Sequence, residues 1–79
     1  MSSRNNAASK SPALKLLSRR EREVLKYVVE GKSDNEIATL LQVAPKSVET
    51  YRGRMMEKLG IEDLPALVKF AIRNGITPL

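Results

Sequence analysis

An all-α fold is what this sequence predicts: a compact four-helix domain containing a helix-turn-helix. Three observations carry that expectation. Two Ser-x-x-Glu capping boxes, Ser18 with Glu21 and Ser33 with Glu36, each stand just ahead of an apolar run. Behind them the apolar residues recur at the three- and four-residue spacing of a helix, and no stretch reads convincingly as a strand. Finally, Gly31, Gly60 and Gly75 each follow such a run, at the place where a helix takes a left-handed stop.

Residues 1–13, "MSSRNNAASKSPA", are small, polar and aperiodic, and read as a disordered arm or linker, leaving 14–79 as the folded domain. The first helix begins at Ser18, with Leu17 as an apolar anchor before the cap. It runs through Val24, Leu25, Val28 and Val29 to Gly31. The second begins at Ser33 and carries Ile37, Ala38, Leu40 and Leu41. Asp34 and Glu36 lie in its first turn, where the helix dipole favours negative charge. After the break Gln42-Val43-Ala44, Pro45 sits in a first-turn position, where its missing N–H is harmless, and the third helix runs from Pro45 to Leu59. Asp63 caps the fourth, with Pro65 in its opening turn and Gly75 at its end. On that helix Leu64, Leu67, Val68 and Ala71 form the expected core arc, with Ile72 at its edge.

Composition narrows the function classes. Seventy-nine residues make one small domain near the lower limit for a chain that folds on its own core. With no cysteine and no histidine, disulfides, thiol nucleophiles and the commonest zinc ligands are all missing, and neither metal nor cofactor is expected. An enzyme is not expected either, because capping explains Glu21 and Glu36. The apolar runs are far too short for a membrane span, so a cytoplasmic protein is the expectation. A net charge of +5 and a pI near 9.9 fit a nucleic-acid partner. The positive excess is localised: Arg4, Lys10 and Lys15 on the arm and its junction, and Lys46, Arg52, Arg54 and Lys58 on the third helix.

A helical wheel orders that third helix. Stepping about 100° per residue from Lys46, Val48, Met55 and Leu59 gather near 200° as the buried stripe. Lys46, Thr50, Gly53 and Glu57 face the opposite way, bordered by Glu49 on one side and Arg54 on the other. Ser47 and Lys58 lie further round the Arg54 flank, while Arg52 and Met56 lie nearer the core on the other. A glycine inside a helix costs about 1 kcal/mol against alanine, so Gly53 needs a reason. Small residues at the centre of an outward face allow the backbone to approach base edges in a major groove. A tolerated surface glycine on a solvated face is the alternative.

A short capped helix, a three-residue break and a longer basic helix make a helix-turn-helix with the third helix in the recognition position. Ala38 suits the close crossing, and Val43 offers an apolar plug in the turn. The motifs "LSxREREVL", "G-K-S-x-N-E-I-A-x-x-L", "S-V-E-T-Y" and "M-x-K-L-G-I" occur in order over residues 16–76. In these the chain resembles the LuxR-type (GerE-like) helix-turn-helix domain, the C-terminal output domain of NarL/FixJ response regulators and quorum-sensing regulators. The resemblance implies sequence-specific binding to double-stranded DNA within a bacterial transcription regulator, usually as a homodimer on paired half-sites. It assigns base reading to Glu49, Thr50 and Gly53. Phosphate contacts fall on Asn35, Lys46, Ser47, Tyr51, Arg54 and Lys58.

The sequence departs from the family pattern in three places. Ala44 stands where Ser or Thr is usual, removing a side-chain cap worth about 1 kcal/mol, which Pro45 partly offsets. Tyr51 stands where histidine is frequent; it can bond a phosphate or belong to the core. Glu49 is acidic at a base-reading position, able to accept from a cytosine amino group or to repel phosphates. On the fourth helix, Ala66, Lys69, Phe70 and Arg73 lie opposite the expected core arc and form the expected dimer surface, with Phe70 folding back onto the first helix or the arm as the alternative. A competing function class is a protein-interaction module that contacts RNA polymerase or another regulator without reading DNA.

Overall fold

The computed structural model describes residues 12–76 and contains four α-helices with no strand among them. A 3-10 turn, Pro12–Leu16, leads into α1, Arg19–Val29; α2 spans Asp34–Leu41, α3 Pro45–Leu59 and α4 Leu64–Arg73. All four helices lie where their start and stop signals put them. The expected arm falls mostly on residues 1–11, outside the described residues, whereas its last two positions, Pro12 and Ala13, open the 3-10 turn.

Both capping boxes close in both directions. The Ser18 hydroxyl accepts from the Glu21 N–H at 3.2 Å, and Glu21 Oε1 accepts from the Ser18 N–H at 2.8 Å. In the second box the corresponding distances are 3.1 and 2.8 Å. Asp63 Oδ1 caps α4 through the Ala66 N–H at 2.9 Å. Ala44, by contrast, gives α3 no side-chain cap, and Pro45 alone marks its start. The sharp break before it depends on Gln42, which takes φ 59°, the one left-handed non-glycine residue among those described. Asparagine, aspartate and histidine are the residues enriched there, so sequence signals do not single out a glutamine. At its other end α3 stops at Gly60, φ 69°, a conformation a Cβ would strain.

α3 packs against α1 and α2, and α4 closes on α1. The core between them is Leu17, Val24, Leu25 and Val28, then Ile37, Ala38 and Leu41, Val48 and Met55 from α3, and Leu67 and Ala71 from α4. On α4 the structure corrects the expected arc: Leu64 is 53% exposed and Ile72 49%. The buried line there runs through Leu67, Ala71 and Asn74, turned about 40° from the expected direction on a 100° wheel. Asn74 tolerates burial because its side-chain amide donates to the Phe70 carbonyl at 2.9 Å, inside the helix end it caps. That rotation also half-buries Phe70 against the core.

Candidate nucleic-acid interface

The site is assembled from the inner stripe outward. Val48 and Met55 are fully buried and fix the roll of α3 about its own axis. Ala38 is buried at the α2–α3 crossing, and Val43 is half-buried against the core, as a plug in the turn should be. An ion pair also links the two helices: an Arg52 Nη2 atom lies 3.0 Å from Asp34 Oδ1, joining the middle of α3 to the first turn of α2. The pair is out of line for a hydrogen bond, so it acts through charge.

With the inner side committed, the opposite arc is left to solvent. Lys46, Glu49, Thr50, Gly53, Arg54 and Glu57 are all exposed. The Lys46 ammonium reaches Glu49 Oε1 at 3.9 Å, a loose pair on the surface. The Thr50 hydroxyl donates to the Lys46 carbonyl one turn back, at 3.2 Å. At Gly53 a Cβ would meet nothing within 4 Å, and the residue is absent from those with positive φ. Neither the protein's own packing nor its backbone geometry requires glycine there.

The remaining expected contacts sort themselves by position. Ser47, Thr50, Tyr51 and Arg54 line one shallow depression on the flank of α3. Tyr51 is half-buried with its ring against the core, so both roles open to it in the sequence are compatible with its place. Asn35 is exposed in the first turn of α2. Lys58 is the exception. Its ammonium donates to Glu21 Oε1 at 2.8 Å and to the Leu16 carbonyl at 3.1 Å, so the side chain is turned inward to hold α3 against α1 and the 3-10 turn.

Glu21, 2% exposed on α1 behind α3, is the residue supporting this site that sequence reasoning undervalued. Its place in a capping box accounted for it fully, and nothing local signals a partner 37 positions away. Burial pushes its carboxyl pKa up. The Lys58 ammonium and the N–H and hydroxyl of Ser18 outweigh that and hold it below its ordinary value.

On α4, Lys69 and Arg73 are exposed, and Ala66 and Phe70 are half-buried along a groove shared with Ala13, Leu59 and Ile61. The expected dimer surface is therefore partly occupied by the chain itself, and Leu64 and Ile72 add apolar surface on another flank of the helix.

Comparison with known proteins points the same way. The family described as "Bacterial regulatory proteins, luxR family" matches residues 15–71. The DNA-binding transcriptional activator EvgA of Escherichia coli (strain K12) is 43% identical over 60 residues, covering 76% of this chain and 29% of EvgA. The oxygen regulatory protein NreC of Staphylococcus aureus (strain MRSA252) is 38% identical over 74 residues, 94% of this chain and 34% of NreC. Among solved structures, full-length FixJ from B. japonicum matches with a TM-score of 0.77 and 33% identity, over 92% of this chain and 36% of that one. The chain thus spans about a third of the length of the curated relatives it matches.

Proposed function

Because the chain belongs to the luxR family of bacterial regulatory proteins, we propose that α3 lies in the major groove of double-stranded DNA and reads sequence there, with two copies on paired half-sites. At the coarser level the chain is a transcription regulator's DNA-binding domain and not an enzyme. One observation carries the finer reading: the outward arc of α3 is unburdened by the fold around a bare stretch of backbone at Gly53. Glu49, Thr50 and Gly53 face base edges, while Asn35, Lys46, Ser47, Tyr51 and Arg54 take phosphates on either side. Lys58 keeps the C-terminal end of α3 in place instead.

The second copy meets the first through α4, using Lys69, Arg73 and the exposed edges of Ala66 and Phe70. RNA polymerase, where it is contacted, meets surface outside α3. The protein works in the bacterial cytoplasm, on the nucleoid when bound. No helix among the described residues is long and apolar enough to cross a membrane.

Gel shifts on a selected duplex and a scrambled one test the reading. Arg54→Ala weakens both alike and lowers the slope of log K against log salt by about one phosphate contact. Thr50→Ala narrows the difference between the two duplexes. Identical affinities before and after both changes would defeat the assignment.

A further inference from the structure

The chemistry presented by Glu49, Thr50 and Gly53, the three positions proposed to face base edges, is one-sided. Glu49 carries a carboxylate, which only accepts hydrogen bonds. Thr50 spends its hydroxyl proton on the Lys46 carbonyl at 3.2 Å, leaving a methyl group and oxygen lone pairs for anything that approaches. Gly53 contributes no side chain at all, and the space around it is open. No side-chain donor is left at these three positions. Two exposed cations stand near them, Lys46 in the first turn, loosely paired with Glu49, and Arg54 on the flank.

Each base pair shows a different pattern to such a surface. Guanine presents two acceptors, N7 and O6, which a carboxylate repels. Adenine pairs its amino donor with the acceptor N7. On its own edge cytosine presents only the N4 amino donor, beside the O6 of its paired guanine, and thymine presents the O4 acceptor and a C5 methyl. Resting on the major-groove reading above, we propose that α3 recognises a half-site by pyrimidines: a cytosine whose N4 amino group donates to Glu49, and a thymine whose C5 methyl packs on the Thr50 methyl. The weak, exposed pair between Lys46 and Glu49 leaves that carboxylate free to change partners while Lys46 offsets its repulsion for nearby phosphates.

Selection from a random duplex library with the purified chain tests this. The enriched half-site should hold one required C·G pair and one required T·A pair. Changing that cytosine should weaken the wild type about tenfold or more, within the usual range for one base contact. The same change should leave Glu49→Ala unaffected. Replacing the thymine by deoxyuridine, which removes only the methyl, should weaken the wild type several-fold and leave Thr50→Ser unaffected. The deoxyuridine comparison needs no variant, so folding cannot confuse it. If Glu49→Ala selects the same motif as the wild type, or deoxyuridine binds equally well, the pyrimidine assignment is overturned while sequence-specific binding stands. If no duplex is enriched or retained at low salt, the major-groove reading itself falls and takes this one with it.

Discussion

Gly53 offers the sharpest experiment, because stability and binding should move in opposite directions. The residue lies inside α3 with no positive φ, and a Cβ built on it touches nothing within 4 Å. Alanine therefore brings no clash and no strain. It removes the unfolded-state freedom that makes a helix-interior glycine cost about 0.8–1.0 kcal/mol. For a domain of this size such a gain raises Tm by about 4–8 °C. A larger side chain, as in Gly53→Leu, keeps part of that gain, since the space outside the helix is open. If the bare backbone lies against base edges, however, the leucine must push the helix out of the groove. A tenfold loss of affinity, equivalent to about 1.4 kcal/mol, is the least expected. Circular dichroism melts give the first quantity, and fluorescence anisotropy with a labelled selected duplex gives the second. A leucine variant that melts higher and binds equally well would refute the close-approach argument. An alanine variant that melts lower would refute the claim that the fold leaves this position free.

Other expectations follow from the α1–α3 clamp and the α4 surface. Lys58→Met leaves the buried Glu21 carboxylate with Ser18 as its remaining partner and should cost about 1–3 kcal/mol in denaturant titration, toward the low end because Lys58 is itself part-exposed. An unchanged midpoint would show the clamp to be idle. Since the Glu21 pKa is held below its ordinary 4.5, its contribution is complete above that value and is lost as pH falls through the lower folded one. Acid titration of the wild type should show this loss, and Lys58→Met should flatten it. For the α4 contact, Arg73→Glu should change the folding free energy by no more than about 1 kcal/mol, since the residue is exposed and the reversed charge meets only the C-terminal end of the helix dipole. The same change should reduce binding to paired half-sites far more than to a single half-site in gel shifts. Equal losses on both would remove α4 from the dimer contact.

Local signals account for most of what was legible. Ser18, Ser33 and Asp63 satisfy orphan N–H groups within their own first turns, so their meaning is settled within four residues of chain. The roll of α3 was legible for a similar reason: Val48, Met55 and Leu59 share one side at helical spacing, and that side can only go inward. The α4 arc was not. Its apolar residues cover more than half the wheel, and a polar residue beyond the helix end, Asn74, helps choose which part is buried. Lys58 was expected at a phosphate from the resemblance, and the wheel put it on the Arg54 flank, but a wheel shows direction and no reach; its long stem takes the ammonium back to Glu21 and Leu16.

Taken alone, then, the order of residues determined the four helices, their ends, the helix-turn-helix and the exposed arc of α3. Those features depend on hydrogen bonds and periodicities that span only a few positions. Tertiary structure decided which cations pair with carboxylates of other helices, which side of α4 is buried, and that Glu21 is a buried anion joined to α3. Each of those depends on groups far apart in the chain that meet only after the helices have packed, and burial then sets the worth of a charge or an amide.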